Sequence, residues 1–445
     1  MPCYICAFAP KGMDGAPPVN SRWIFRFFGL IYMIAPLVAE AETEPVSVVL
    51  SQSADQIATG KTSIIVTIRN DGDQAVTISK FQLPFDWHGP LPNRQFDVID
   101  FQGQKQEYSG SWDKVVGRPA SSFVHLGAHQ TLTGTVELRY SYRFDTQVSN
   151  HFTVQYSLPL GIVEEGTEPD ENSPSYSVDP NRIRVITSNV LPLNIDATSP
   201  LDPAVASAEP SAFVPASLLE FRQLAAGEIN DPNHTCNVPQ TAAIIAAFSD
   251  AKSVINNSLG YVNSMFGTTG FDATKPASVS YVKWFGEYDG DGKMPGEGGN
   301  YYAGRAGVVV ATMRSALYAS STHTGGQSYV PLTECQCPAG TLPEVAAKAR
   351  GNYQILLCEA FFNLKATGGD DSRALTLYHE LTHFKSAIAD GRGGTTQVRQ
   401  TWDYGYGASF DQSLAKTQPA QAVNNADSYE KFGLDVMRYY GVSGW

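Results

Sequence analysis

The chain has 445 residues, of which 42% are hydrophobic and 17% charged, with 39 Gly and 27 Pro. This composition excludes a disordered chain, a collagen and a coiled coil, and the length allows two or three domains. A formal charge of −13 argues against nucleic acid or an anionic membrane as partner, because phosphate binding needs clustered Lys and Arg.

No apolar run reaches the roughly 18 residues of a membrane span. One shorter run stands out. Arg22 and Arg26 precede an apolar stretch from Phe27 to Val38, and the small-x-small triplet Ala39-Glu40-Ala41 follows. A basic flank, a short apolar core and an Ala-x-Ala end predict a secretion signal over 1–41, cut after Ala41, with Met13 a candidate start behind an N-terminal extension. The mature protein is therefore expected outside the cell. Beyond the signal lie four cysteines, Cys236, Cys335, Cys337 and Cys358. An even number in an exported chain suggests two disulfides. Cys335 and Cys337 are too close in sequence to pair with each other, so each reaches to Cys236 or Cys358. A four-cysteine zinc site would need a second tight pair, which is missing.

From Val46 to about Leu193 the pattern is β-branched runs and turns. Strands are predicted at Val46–Leu50, Ser63–Ile68, Ala75–Ile78, Thr133–Tyr140 and Phe152–Tyr156, with Asn70-Asp71-Gly72-Asp73 as a hairpin-type turn. Such spacing predicts an antiparallel, immunoglobulin-like β-sandwich over 42–196. His88, His125, His129 and His151 are scattered through it and are expected at the surface or in loops. Residues 197–217, rich in Ala, Pro and Ser, read as a linker. The texture then changes: Gln240–Met265 carries apolar residues at helical spacing, so 218–445 is expected to be a mainly helical second domain and the chain as a whole α+β. Asp289-Gly290-Asp291-Gly292 resembles the start of a calcium loop. Lys293 stands where a third carboxylate is needed, so a solvated turn is predicted.

The chemistry is concentrated in Tyr378-His379-Glu380-Leu381-Thr382-His383. Asp371 or Ser372 can cap a helix there. His379 and His383 are four residues apart, so their imidazoles project from one helical face and can reach one zinc ion. Glu380 can then sit beside a metal-bound water as general base. The pattern points to a zinc hydrolase. Its third ligand is open. The repeating histidine pattern of metzincins is absent, because Ser386 and Ala389 stand where Gly and His would be needed. A gluzincin arrangement would use Glu430, which is the only Glu after His383. The remaining option is Asp403, in Trp402-Asp403-Tyr404-Gly405-Tyr406-Gly407, where glycines permit a tight turn back to the metal.

These residues resemble the deuterolysin or aspzincin metalloendopeptidases, whose mark is the histidine helix followed by G-T and then D-x-x-Y-G; Gly394-Thr395 and Asp403–Gly407 supply it, with a longer insert between them. The resemblance spans about 236–440 and is closest to the peptidyl-Lys subgroup, through Lys283-Trp284-Phe285-Gly286, Cys335-Gln336-Cys337, Cys358–Phe362 and Asn425–Glu430. It implies one zinc ion per chain held by His379, His383 and Asp403, with Glu380 and Tyr406 catalytic and Tyr406 bonded to the tetrahedral intermediate. It also implies the pairings Cys236–Cys335 and Cys337–Cys358. Asp427 and Glu430, at i and i+3 of a helix, are similar to the acidic S1′ pocket that holds a substrate ammonium.

The resulting expectation is a secreted, monomeric zinc endopeptidase acting on proteins or peptides on the amino side of Lys. It would be made as a latent precursor with its own intramolecular pro-domain, without nucleic-acid partners. Such a pro-domain shields the metal most simply by covering the cleft, with one of Lys61, Lys80, Lys105 or Lys114 near the acidic pocket. The alternatives are a gluzincin using Glu430 and a β-sandwich adhesion protein with a vestigial protease domain.

Overall fold

The structure is a computed structural model that describes residues 46–84, 90–117, 123–146, 149–156, 159–164, 183–196, 229–267, 270–290, 304–320, 331–350, 353–384, 387–389, 395–397 and 401–445. Within the chain, Glu44–Trp445 forms one compact unit. The expected signal and linker, His88 and Gly394 lie outside the described residues.

The N-terminal part is built from β1 (Val46–Ser51), β2 (Ser63–Asn70), β3 (Val76–Ser79), β4 (Phe96–Asp100), β5 (Ser111–Val115), β6 (Phe123–Leu126), β7 (Thr131–Glu137), β8 (His151–Tyr156), β9 (Pro159–Glu164), β10 (Ile183–Val185) and β11 (Leu191–Asn194), with a short helix α1 (Ala54–Ala58). Ten of these strands form three antiparallel sheets, ordered β1-β2-β7, β10-β9-β3-β6 and β11-β8-β4. Alternation drives the assembly: in β1, Val46, Val48 and Leu50 are buried while Val49 faces solvent. Ile64, Val66, Ile68, Phe96, Val98, Val154 and Tyr156 fill the core between the sheets.

Two details differ from expectation. Asn70–Asp73 is not a hairpin turn, because β2 and β3 belong to different sheets. The buried Asn70 amide donates to the carbonyls of Gln74, Leu126 and Gly127, and this anchor sends the chain across to the second sheet. The strand expected over Thr133–Tyr140 ends at Glu137. There the Glu137 carboxylate accepts from the Arg139 N–H and the Thr62 hydroxyl, and a 3₁₀ turn replaces the last residues.

The C-terminal part comprises α2 (Val238–Asn263), β12 (Phe266–Gly267), β13 (Gly270–Phe271), α3 (Pro276–Phe285), α4 (Gly304–Ala319), β14 (Leu332–Glu334), β15 (Val345–Arg350), β16 (Gln354–Leu357), α5 (Glu359–Asn363), α6 (Arg373–Thr382), β17 (Ala387–Ala389), β18 (Thr395–Gln397), α7 (Ala408–Thr417), α8 (Pro419–Ala422) and α9 (Ala426–Tyr439). Asn237 and Gln240 form a reciprocal capping box that starts α2 close to the expected position. Disulfides join Cys236 to Cys335 and Cys337 to Cys358, tying α2 and α5 to the segment that follows β14. The mixed helix and sheet content agrees with the predicted class.

The unexpected element is β5. It joins none of the N-terminal sheets and instead pairs antiparallel with β15, at the edge of a sheet ordered β14-β16-β15-β5. Trp112, Asp113 and Lys114 stand opposite Ala349, Lys348 and Ala347, and all five residues of β5 are buried. A Trp-Asp-Lys run has no apolar alternation, which hid this strand in the sequence.

Helices α2, α6 and α9 pack against one another around Leu375, Leu377, Tyr378, Val254, Phe432 and Val436. Their close approach depends on Gly433. A methyl group there would stand 2.6 Å from Val254 Cγ1 and 3.0 Å from Tyr378 Cε1. Gly433→Ala should therefore destabilise the protein by about 1–3 kcal/mol in urea unfolding, despite the better helix propensity of Ala.

Candidate active site

Ser372 caps α6 through its hydroxyl, which accepts from the Leu375 N–H, and residues 374 to 382 of the helix are all buried. His379 lies on its last turn and His383 is its C-cap, still in helical conformation, so both imidazoles leave the same face. Their ring centroids are 5.1 Å apart at 75°. The chain returns to this face at Thr401. The Thr401 N–H donates to the Thr382 carbonyl, and the two threonine hydroxyls are 2.7 Å apart. The Trp402 N–H donates to Asn424 O, the Ala426 N–H to Trp402 O and the Tyr404 N–H to the Asn425 side chain. This seam along the start of α9 holds Asp403 against the histidines. Gly405 permits the turn, since a Cβ there would meet the Phe410 ring at 2.4 Å.

Asp403 Oδ1 lies 3.0 Å from His379 Nε2, and its Oδ2 lies 3.4 Å from His383 Nε2. None of these four atoms has a hydrogen-bond partner, nor does either Glu380 oxygen, although all are fully buried. Buried polar atoms left unpaired at one point are costly, and a cation between them removes that cost. The protonation states suit ligation. His383 Nδ1 lies 3.0 Å from the Thr401 carbonyl, so it carries the proton and leaves Nε2 a lone pair. Burial lowers the His379 pKa to about 4, keeping the ring neutral. Burial would raise the Asp403 carboxyl, but positive charge on the facing side, at His383 and His379, holds it well below its usual range, so this carboxylate stays ionised and favours a cation at that point. Two imidazoles and one carboxylate with converging donor atoms fit zinc. The Glu380 carboxyl is pushed well up by burial and by the negative Asp403 and Asp113; a bound cation would oppose that shift.

Asp427, on the first turn of α9, and Glu430, three residues further on, are both fully buried, not on a solvated face. Between them sits Lys114 of β5, with Nζ 2.6 Å from Asp427 Oδ1, 2.7 Å from Glu430 Oε2 and 3.4 Å from Asp371 Oδ1. Of the four N-terminal lysines considered, Lys61 and Lys105 instead pair with Asp55 and Asp97, and Lys80 lies in a 3₁₀ turn. Burial pulls the Lys114 pKa down, but the three carboxylates outweigh it and hold it well above its usual value. Burial raises Glu430 to about 7 despite Lys114 and Lys431 nearby. Glu430 Oε2 approaches His379 only at Nδ1, 3.6 Å away, on the side opposite the Asp403 contact. The atoms that meet both histidines thus come from Asp403.

Tyr406 closes the gap between the two clusters. Its ring stacks near His379 at 5.9 Å, Lys114 Nζ lies 5.3 Å from its centroid, and its hydroxyl donates to the Asp113 carbonyl. Burial and the adjacent Asp403 push its phenol pKa well up, so it remains a donor. Trp112 stacks on His383 at 5.5 Å. The peptide bond between Asp113 and Lys114 is therefore flanked by Tyr406 at its carbonyl and by the acidic pair at the following side chain. Trp112, Thr401 and Lys431 escaped sequence reasoning because none has a motif of its own, and Asp371, expected only as a candidate cap of α6, instead joins the Lys114 cluster while Ser372 caps the helix. His125, His129 and His151 stand apart from both clusters: His125 meets Thr77, His129 faces Asp73 and His151 meets Asn194.

A buried helix carrying two histidines, an adjacent glutamate and an aspartate returning from a glycine-bounded turn defines a metal-dependent hydrolase site. A sequence profile of the aspzincin family, described as lysine-specific metallo-endopeptidase, matches residues 271–433. A peptidyl-Lys metalloendopeptidase of Pleurotus ostreatus is 32% identical over 198 residues, covering 44% of this chain and 92% of that protein. The chain belongs to the aspzincin family of metalloendopeptidases, whose metal is zinc. An extracellular protease of Aeromonas hydrophila is 27% identical over 380 residues, covering 84% of this chain and 88% of its own length. The solved zinc peptidase of Grifola frondosa is 27% identical and covers 45% of this chain and 97% of its own, with a TM-score of 0.31.

The site geometry gives a test by metal analysis. Asp403→Ala, His379→Ala and His383→Ala should each lose bound zinc, whereas Glu380→Ala should retain zinc and lose at least about a hundredfold in activity. Normal zinc content in Asp403→Ala with loss in Glu430→Ala would assign the third ligand to Glu430.

Proposed function

We propose that the protein is a secreted zinc endopeptidase that cleaves on the amino side of lysine and is made as a latent precursor. In this reading, residues 42–196 are the pro-domain, 197–217 the linker and 218–445 the catalytic domain. The observation that carries it is Lys114, a cation from the N-terminal part fully buried against Asp427 and Glu430. Two carboxylates in a dry pocket favour a compact ammonium, and β5 occupies the sheet edge as an added strand, the way extended peptides commonly bind. The extracellular relative and the two disulfides support export.

His379, His383 and Asp403 would hold the zinc, which when bound polarises the scissile carbonyl and acidifies water. Glu380 takes a proton from the attacking water and delivers it to the leaving amine. The Tyr406 hydroxyl, already donating to the carbonyl before the lysine, strengthens that bond as negative charge develops on the oxygen. β15 aligns the substrate backbone, and Asp427 with Glu430 selects the side chain after the cleaved bond.

Latency follows from occupancy, because a substrate cannot enter while Lys114 fills the pocket. Maturation then has a constraint. No lysine lies between Lys114 and Lys252, so a strictly lysine-directed enzyme cannot free itself by cutting 197–217. Another protease, or a cut at Arg222, must do so.

Two measurements check the proposal. Products of an unfolded protein should begin with Lys, and replacing Asp427 by Asn together with Glu430 by Gln should abolish that enrichment; products without it overturn the specificity. In the uncleaved full chain, Lys114→Ala should raise the activity on a lysine peptide at least about tenfold over wild type. No rise, with zinc content and thermal unfolding intact, would refute occupancy by Lys114 as the source of latency.

A further inference from the structure

The residue before Lys114 is held as specifically as Lys114 itself. Asp113 is 1% exposed, and its carboxylate is paired with the ammonium of Lys348 and accepts from the Ser111 hydroxyl at 2.9 Å. Lys348 lies on β15 directly opposite Asp113, and residues opposed across an antiparallel ladder project to the same face. Arg350, two residues along β15 and so on that same face, also feels the Asp113 charge. Among the described residues, Asp113 is the only carboxylate paired with Lys348.

Lys348 belongs to the part of the chain that carries the histidines, whereas Asp113 belongs to the strand laid across them. Once β5 leaves, the Lys348 ammonium borders the cleft with no carboxylate partner. A substrate that brings Asp or Glu to the same position restores the pair, and one that brings Lys or Arg places like charges together. We propose that Lys348 is a specificity-determining residue that reads the side chain on the amino side of the cleaved bond and favours an acidic one. The inference rests on the reading above, that Asp113-Lys114 lies as a substrate does, and it adds a second pocket of opposite sign to the first. The preferred dipeptide is then acidic-Lys, a zwitterionic pair matched by Lys348 on one side and Asp427 with Glu430 on the other.

The test uses the zinc-loaded full chain activated by limited proteolysis, with three peptides differing only before the lysine: Asp-Lys, Asn-Lys and Arg-Lys. Wild type should cleave Asp-Lys about tenfold more efficiently in kcat/KM than Asn-Lys, and Arg-Lys least. The ratio should shrink as salt rises from about 0.05 to 0.5 M, because an ion pair in an open cleft is screened. Lys348→Met should bring the Asp-to-Asn ratio near one, and Lys348→Glu should make Arg-Lys the best of the three. If wild type cleaves before Lys with equal efficiency for Asp and Asn, the inference fails and the proposed function stands; that comparison needs no variant. If the Asp preference survives in Lys348→Met, Lys348 is not its reader. If the products do not begin with Lys, the inference falls together with the proposed function.

Discussion

The arrangement of this protein depends on one buried ammonium. Lys114 has three carboxylates within 3.4 Å, and its two nearest partners are themselves fully buried. Burying a charge is costly unless it is paired and hydrogen-bonded, and removing one member leaves the others uncompensated. If Lys114 is withdrawn, Lys431 is the only Lys or Arg among the described residues still paired with Asp427 and Glu430. The acidic pocket is therefore an electrostatic demand for a lysine-like group, and β5 answers it from within the same chain. Everything around the strand follows. Its backbone pairs with β15, the Asp113 carbonyl takes the Tyr406 hydrogen bond, and Trp112 covers His383.

The metal cluster and the acidic pocket are built from the same few supports. His379 turns Nε2 toward Asp403 and Nδ1 toward Asp427 and Glu430, so one ring borders both. Helix α9 contributes Asp427 and Glu430 and, through Asn425 and Ala426, pins the segment that carries Asp403. Asp427 also accepts from the Gly407 N–H at 2.6 Å, which ties the pocket to the turn bearing Tyr406. The histidine cluster and the acidic pair thus share supports, with the 401–407 turn pinned to the start of α9 by backbone and side-chain hydrogen bonds.

Part of the site was legible because its chemistry is local. His379, Glu380 and His383 occupy one turn of a helix whose cap and apolar face are written beside them, and Asp403 and Tyr406 share one glycine-bounded turn. Spacing showed only that Asp427 and Glu430 share a face of α9; the family resemblance is what marked them as an acidic pocket. The hairpin expected at Asn70–Asp73 failed because Asn70 bonds to carbonyls more than fifty residues away, which no local turn preference reports. The family resemblance supplied the disulfide pairing, since four cysteines alone leave it open.

The sequence by itself pointed to the class of chemistry through a helix with two histidines and a glutamate spaced within one turn, and the family resemblance added Asp403 as third ligand and Asp427 with Glu430 as an acidic pocket. It also narrowed the candidate for the acidic pocket to four lysines. Only the tertiary structure decided that Lys114 is the one, that its strand joins β15 rather than the three N-terminal sheets, and that Lys348 faces Asp113. These contacts join residues 313 and 235 positions apart. Spacing within one helix or turn fixes direction through the backbone, whereas pairings between segments hundreds of residues apart depend on how those segments pack, and no local periodicity encodes that.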